Sequence, residues 1–166
     1  MLRELGAPLL IHQPSYSMLN RWIETEGLLD AAAEVGAGVI GFTALAQGVL
    51  TGKYLDGIPE GSRATQGKSL DPQSIDETLV ARLNALNDVA KSRGQSLAQL
   101  ALAWALRDPR MTSLVVGASS VRQLDQNVAA LDNLAFGDDE LAAIDTILLT
   151  PTSSVDLWRD ARRGTL

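Results

Sequence analysis

Short apolar runs alternate with longer stretches of helical periodicity along most of the chain. The apolar runs are Pro8 to Gln13 (PLLIHQ), Gly38 to Ala44 (GVIGFTA) and Leu114 to Val116. Each has the length of a strand, and each lies beside a glycine or proline that breaks the pattern. Strands that are apolar throughout are typical of parallel sheets covered by helices. The pattern therefore predicts an α/β fold with buried parallel strands.

Helical periodicity fills most of the intervals between these runs. The predicted helices are RWIETEGLLDAAAEVG, ETLVARLNALNDVAKSRG, SLAQLALAWALRD, the segment from Ser120 to Leu131 and GDDELAAIDTILL. Ser96 stands at an expected helix N-cap, and Ser120 precedes Gln123 by the three residues of a capping box. The helix SLAQLALAWALRD is apolar on most sides, which predicts that it is buried. A polar loop from Leu50 to Pro72 is long enough to suggest a function.

The order of elements is a strand and a helix repeated three times, with one extra helix before the third unit and one after it. Two architectures fit this order, a doubly wound sheet and part of a (β/α)₈ barrel. A full barrel usually needs about 250 residues, whereas this chain has 166. If the fold is a barrel, we expect the chain to form a piece of one.

Composition narrows the possible partners and chemistry. The net charge of −6 argues against nucleic acid or an anionic membrane as the main partner. With no cysteine and a single histidine, thiol catalysis and paired-histidine metal motifs are excluded, and no metal site is predicted. Neither a signal-peptide pattern nor an apolar stretch of bilayer-spanning length is found, so a cytoplasmic location is expected.

Candidate binding residues follow each predicted strand. Gln13 follows the first, Phe42 and Thr43 follow the second, and Gly117 to Ser120 follow the third. In both architectures, ligands bind at the carboxyl ends of the strands. An amide, an aromatic ring and a helix N-terminus at one edge would suit a nicotinamide nucleotide, because the helix N-terminus favours a phosphate. Two basic residues of the long loop could reach over a pyrophosphate, namely Lys53 and Arg63.

Each of these residues also has a purely structural interpretation. Phe42 could belong to the core, Gly117 could be a turn residue, and Ser120 with Gln123 would form a capping box without any ligand. The two loop cations could be solvated surface charges. His12 lies inside an apolar strand, where a hydrogen-bonded core histidine is the simpler interpretation. No convergent pair of carboxylates is predicted.

Several longer segments carry a resemblance to a known family. They are LLIHQPSYSMLNR, GVIGFTALAQGVLTGKY, GIPEGSRA, LAQLALAWALRDPRMTSLVVGASSVRQLDQNVAAL and DDELAAIDTIL. From about Leu2 to Leu149, the chain resembles the C-terminal half of an aldo-keto reductase. It is most similar to the branch with bacterial glyceraldehyde-3-phosphate-type reductases and potassium-channel β-subunits. The resemblance implies strands six to eight of a (β/α)₈ barrel, with extra helices at Asp76–Arg93 and Asp138–Leu148.

The resemblance also implies a cofactor and its binding residues. Members of the family use NADPH to reduce aldehydes and ketones. Gln13 would bond the nicotinamide carboxamide, and Phe42 would stack on the nicotinamide ring. The pyrophosphate would lie along Thr43, Ala44, Leu45 and Gly48, under Lys53 and Arg63. The adenosine end, including its 2′-phosphate, would be held by Gly117, Ser119, Gln123, Gln126 and Asn127.

Two departures from the family pattern qualify this expectation. Thr43-Ala44-Leu45 replaces the usual Ser-Pro-Leu, which removes the proline that presets the backbone. The family's catalytic tyrosine, aspartate, lysine and histidine belong to the first half of the barrel, and no residue of this chain matches them. The resemblance therefore implies a truncated, incomplete barrel over residues 1–150 with a polar tail over 151–166.

Three functional hypotheses follow. The chain is the cofactor-binding half of a reductase with little turnover of its own, because a missing general acid slows such reactions about 10² to 10⁴-fold. Alternatively, it is a non-catalytic nucleotide-binding or interaction module that completes its barrel with a complementary half or by self-association. A third possibility is a complete doubly wound domain unrelated to reductases.

Overall fold

The computed structural model describes residues 6–62, 64–65 and 70–149, and in this part of the chain three strands form one parallel sheet. The strands are β1 (Ile11–His12), β2 (Gly38–Gly41) and β3 (Met111–Leu114), in the spatial order β1-β2-β3. His12 pairs with Val39, and Gly41 pairs with Leu114 after a register shift between Val39 and Ile40. Each crossover leads to the next strand in the same direction, and β1 and β3 are not paired with each other.

Within the described ranges, six α-helices connect and follow these strands. They are α1 (Trp22–Thr25), α2 (Leu28–Val35), α3 (Glu77–Ser92), α4 (Leu97–Ala105), α5 (Val121–Val128) and α6 (Asp138–Leu149). Short 3₁₀ segments span Ala46–Thr51, Pro72–Ser74 and Ala129–Asp132. Each strand pairs with the strand that follows it in the chain, as in a (β/α)₈ barrel, whereas a doubly wound sheet reverses its strand order at a switch point.

Local capping interactions set several helix ends. Asp76 accepts a hydrogen bond from the Leu79 N–H at 2.7 Å and begins α3. Ser96 forms a complete capping box with Gln99 and begins α4. At the end of α2, Gly36 takes a left-handed φ of 72°, and Ala37 N–H bonds the Ala32 carbonyl at 2.9 Å. A glycine at this position avoids the steric cost that a side chain would meet there.

The core lies between the sheet and the helices, with α4 at its centre. Seven of the nine residues of α4 are buried, and Trp104 is fully inaccessible. This agrees with the sequence expectation, because a helix that is apolar all round has no face suited to water. The helix packs against α3, α5 and β3.

Several boundaries differ from the sequence expectation. Strands β1 and β2 are shorter than the predicted runs, which were Pro8 to Gln13 and Gly38 to Ala44. The segment predicted as one helix from Arg21 to Gly36 is two, because Gly27 adopts a left-handed φ of 68° between α1 and α2. The third strand begins at Met111 and ends at Leu114, so most of the predicted run to Val116 follows the strand. The helix expected to reach Leu131 is α-helical only to Val128. The predicted third helix, SLAQLALAWALRD, ends at Ala105.

The first strand is not buried, contrary to expectation. Leu10 is 72% exposed and Ile11 is 56% exposed. The apolar character of this segment reflects a face that the described part of the chain does not cover. The central strand is better shielded, since Val39 is completely inaccessible.

Candidate functional site

The carboxyl ends of the three strands meet at one edge of the sheet because the strands are parallel. Phe42 lies at the centre of this edge. Its N–H donates to the Pro14 carbonyl, its own carbonyl accepts from the Tyr16 N–H, and both distances are 3.0 Å. The Val115 N–H donates to the Gly41 carbonyl at 2.8 Å, which ties the end of β3 to the same edge.

The predicted nicotinamide residues therefore lie on adjacent segments. Gln13 directly follows β1 and is exposed. Phe42 directly follows β2 and is 39% exposed, so it is not a core residue. An accessible aromatic ring and an accessible amide, each following one of two neighbouring strands, are groups that can bind a planar, amide-bearing ligand.

The turn after β2 has an unusual backbone. Thr43, Ala46 and Gln47 have φ values of 60°, 47° and 57°, although none of them is glycine. A left-handed φ is uncommon outside glycine, and for a β-branched residue such as Thr43 it is an outlier. Residues held in such conformations cluster at functional sites. Gly48, with a φ of 98°, continues the turn.

Several backbone donors in this turn are unused. Within the described part of the chain, the N–H groups of Thr43, Ala44 and Leu45 donate to no acceptor. Consecutive free N–H groups in a tight turn form a concavity that attracts anions. The Ala44 side chain is buried, whereas Thr43 and Leu45 are half-buried. The predicted pyrophosphate residues thus share one turn with free donors.

The third strand end leads into α5 through Gly117 and two serines. Ser120 caps the helix by accepting from the Gln123 N–H at 3.2 Å. The Gln123 side chain does not complete the predicted capping box. Its Oε1 instead accepts from the N–H and the hydroxyl of Ser119, at 2.8 and 2.9 Å. Ser119 and Gln123 are therefore in direct contact, one residue out of the predicted register.

The remaining predicted residues lie around these segments. Gln126 and Asn127 are on α5, the former exposed and the latter half-buried. Lys53 is exposed, follows the 3₁₀ segment, and makes no ion pair with another described residue. Arg63 lies outside the described residues, so its predicted contact with the pyrophosphate has no structural counterpart to report.

A partly buried ionic cluster around the Tyr16 hydroxyl was not predicted from the sequence. The Tyr16 hydroxyl donates to Glu24 Oε1 at 2.5 Å and accepts from Arg107 at 2.7 Å. Arg21 and Arg107 both bond Glu24, and Arg107 lies 3.6 Å from the centre of the Trp104 ring. No periodicity connects residues 83 positions apart, such as Glu24 and Arg107. This cluster fixes the segment that carries Gln13.

The electrostatics of the cluster suit a structural role. Burial raises the pKa of the Tyr16 hydroxyl, and the neighbouring Glu24 carboxylate adds to the effect. Burial also acts to raise the pKa of Glu24, but hydrogen bonds from its neighbours, led by Arg21, lower it overall. Tyr16 thus stays protonated and Glu24 stays ionised at neutral pH. Neither group is poised to exchange a proton with a substrate.

The described part of the chain lacks two further classes of feature, a metal-binding cluster and a membrane-spanning helix. Among residues 6–62, 64–65 and 70–149, no group of three or more His, Cys, Asp or Glu side chains could hold a metal ion. No helix in those same ranges has both the length and the apolar character needed to cross a membrane.

The chain is similar in amino-acid sequence to several known proteins. Residues 1–149 match the model of the Aldo/keto reductase family. Over 163 residues, covering 96% of this chain and 46% of the relative, the chain is 50% identical to the L-glyceraldehyde 3-phosphate reductase of Escherichia coli O157:H7. Over 126 residues, covering 74% of this chain and 38% of the relative, it is 36% identical to a probable voltage-gated potassium channel subunit beta of Oryza sativa subsp. japonica.

The structural comparison agrees with the sequence comparison. The glycerol dehydrogenase AKR11B4 from Gluconobacter oxydans superposes with a TM-score of 0.71 and 29% identity, over 88% of this chain and 44% of the other. The chain spans about half the length of the relatives it matches. The fold and sequence therefore correspond to part of a larger barrel protein.

Proposed function

Because this chain belongs to the aldo/keto reductase family, we propose that it forms the NADPH-binding, C-terminal part of a reductase acting on aldehydes and ketones. The main support is the strand-end edge, where an accessible amide, an accessible aromatic ring and a turn with unused N–H donors lie on neighbouring segments. A nicotinamide nucleotide needs these three kinds of contact along its length.

The nicotinamide end of the cofactor is assigned to the first two strands. The Gln13 amide would bond the carboxamide, and the Phe42 ring would stack on the nicotinamide. The bound cofactor would supply a hydride to the carbonyl carbon of the substrate. Phe42 would keep one face of the ring away from water, since its own backbone is held on both sides by Pro14 and Tyr16.

The phosphate-bearing parts are assigned to the second and third strand ends. The turn from Thr43 to Gly48 would receive the pyrophosphate through its free N–H groups, with Lys53 and Arg63 adding positive charge. At α5, Gly117 permits close approach, and Ser119, Gln123, Gln126 and Asn127 would bind the 2′-phosphate and adenosine. Since Ser119 and Gln123 bond one another, phosphate binding there would require the Ser119 hydroxyl to turn towards the anion.

The proton needed at the carbonyl oxygen would come from outside this segment. Tyr16 and Tyr54 are 1% and 2% exposed, so neither hydroxyl is available to a substrate at the surface. We therefore propose that the isolated chain binds the cofactor but has little turnover, and that a small carbonyl substrate needs catalytic residues from a complementary part of the barrel.

Cofactor binding can be tested by titration of NADPH while tryptophan fluorescence is recorded. We expect saturable binding, and a Phe42→Ala variant should weaken it about tenfold through loss of stacking. Val35→Ala, a truncation of an exposed apolar side chain on α2 away from the carboxyl ends of the strands, is the control. Absence of saturable binding by the unmodified chain would reject the proposed function.

A specific observation also favours a second role, completion of the barrel with another chain. Apolar side chains are exposed beside β1, at Leu9, Leu10 and Ile11, and along one stripe of α5, at Val121, Leu124 and Val128. Open sheet edges and contiguous apolar surface promote association. The occupant would be the complementary half of an aldo/keto reductase or a second copy of this chain.

Association can be tested by light scattering and by complementation. The chain alone should form concentration-dependent oligomers, and adding the N-terminal half of the Escherichia coli relative should restore NADPH oxidation with a small aldehyde. Val128→Asp should reduce association, whereas Asp88→Asn, at an exposed position of α3, should leave association unchanged. A monomer at all concentrations that gains no activity would exclude this role.

A further inference from the structure

A chain of side-chain hydrogen bonds connects the loop after β1 to the turn after β2. Asn20 Nδ2 donates to Ser15 Oγ at 3.1 Å, and Ser15 Oγ lies 2.7 Å from Thr43 Oγ1. Thr43 Oγ1 in turn donates to the Phe42 carbonyl at 2.6 Å. Since each hydroxyl has one proton and Thr43 uses its own on Phe42, Ser15 must donate to Thr43. The chain of bonds therefore has a single direction, from Asn20 to Phe42.

The last bond in this chain can be given up without leaving a polar group unsatisfied. The Phe42 carbonyl already accepts from the Tyr16 N–H at 3.0 Å. The Thr43 hydroxyl can consequently turn its proton towards another acceptor while its oxygen stays fixed by Ser15. An ionised oxygen would be a stronger acceptor than the carbonyl, because hydrogen bonds to charged groups are about twice as strong as neutral ones.

The backbone at Thr43 shows why an external support is needed. A φ of 60° is strained for a β-branched residue, so the surroundings must hold it in place. The hydrogen bond from Ser15 joins residues 28 positions apart and spans the two strand ends. Ser15 is half-buried and its own carbonyl accepts from the Trp22 indole at 2.8 Å, which fixes its position.

We propose that Ser15, supported by Asn20, is a positioning residue that orients the Thr43 hydroxyl as a donor to a cofactor phosphate. Ser15 acts through Thr43 and does not itself contact the ligand. The inference rests on the proposed function, since it concerns the same turn. It adds two residues on the β1 side to the site and predicts that they influence the pyrophosphate selectively.

Two ligands distinguish this role from general bracing of the fold. NADPH contains both the pyrophosphate and the 2′-phosphate, whereas adenosine 2′-monophosphate contains the adenosine end without the nicotinamide or either phosphate of the pyrophosphate. Ser15→Ala should raise the Kd for NADPH about tenfold and change that for adenosine 2′-monophosphate less than about twofold. Ser15→Thr, which keeps a hydroxyl, should restore most of the NADPH affinity.

The control and the second variant make the test independent of folding. Ser92→Ala removes an exposed hydroxyl that bonds its own helix at 2.7 Å and should affect neither ligand. Thr43→Val should match Ser15→Ala, and the double variant should be no weaker than either, because the two hydroxyls act in series. Circular dichroism would establish that each variant is folded. If Ser15→Ala fails to fold, Asn20→Ala takes its place in the test. Asn20→Ala should weaken NADPH binding in the same direction but to a smaller extent.

Each outcome supports or overturns the inference. Equal weakening of both ligands by Ser15→Ala, or additive effects in the double variant, would show a general structural role and overturn it. If the unmodified chain binds both ligands and Ser15→Ala leaves NADPH binding unchanged, the inference is also overturned. The proposed function would still stand in that case. Failure of the unmodified chain to bind either ligand would reject the proposed function and the inference with it.

Discussion

Removing the Tyr16 hydroxyl should destabilise the chain by about 1.5–3 kcal/mol, the range for a hydrogen bond to a charged partner. This hydroxyl donates to Glu24 Oε1 at 2.5 Å, and the Glu24 side chain is only 21% exposed. Arg107 keeps other acceptors after Tyr16→Phe, namely the Trp104 carbonyl at 2.9 Å and Glu24 itself. The loss should therefore come mainly from the Tyr16–Glu24 bond.

Tyr54→Phe is a matched control for this measurement. Tyr54 is 2% exposed, compared with 1% for Tyr16, but its hydroxyl makes no hydrogen bond with any residue in the ranges that the structure describes. The same atom is deleted from an equally buried ring. Urea unfolding should show a change below about 0.5 kcal/mol for Tyr54→Phe, while Tyr16→Phe should lower the melting temperature by about 3–12 °C.

A double-mutant cycle with Glu24→Ala isolates the contact, because alanine leaves no acceptor for the Tyr16 hydroxyl. If the reasoning is correct, the coupling energy between Tyr16→Phe and Glu24→Ala should be at least about 1 kcal/mol, because the two side chains touch. Equal losses in Tyr16→Phe and Tyr54→Phe, or a coupling near zero, would refute it. The destabilisation would then be the general cost of deleting a hydroxyl from a buried tyrosine ring and would not report the bond to Glu24.

Three further predictions concern the stability of the fold. Because hydrogen bonds lower the pKa of Glu24 despite its burial, its stabilising effect should be complete above about pH 4.3 and lost as pH falls through the folded-state pKa. The free energy of unfolding, measured with urea, should therefore fall more in acid for the unmodified chain than for Glu24→Gln. The Arg93 side chain is 5% exposed and bonded to Glu140 at 2.5 Å, so Arg93→Met should lower the free energy of unfolding by about 3–5 kcal/mol. The exposed control Lys91→Met should lower it by less than about 0.5 kcal/mol. Gly36→Ala, at a φ of 72° with no steric contact, should cost about 1–2 kcal/mol by thermal melting, while Gly117→Ala should cost nothing.

Features determined by neighbouring residues were predictable from the sequence. The caps at Asp76 and Ser96 depend on side chains within three residues, and the glycine end of α2 needs only one residue with a left-handed backbone. The burial of α4 follows from its all-round apolar character. The succession of parallel strands, and the placement of Gln13 and Phe42 after two of them, follow from the same short-range patterns.

Features that depend on distant partners were not predictable. The cluster around Glu24 joins α1 to the segment before β3, and polar residues in a helix carry no signal of such a pairing. The left-handed Thr43 contradicts its own backbone preference, and only the loop after β1 explains how it is held. The exposure of Ile11 was missed because an apolar run predicts burial but does not identify the covering element.

These contacts separate two requirements that a complete reductase has to meet together. The strand-end edge is held by bonds within this segment, from Tyr16 to Phe42, from Val115 to Gly41 and between Ser15 and Thr43. In the proposed completion of the barrel, closure would depend instead on the uncovered surface beside β1 and on α5. We therefore expect substitutions on that surface to alter assembly and turnover with little change in NADPH affinity, and substitutions at Ser15 or Thr43 to do the reverse.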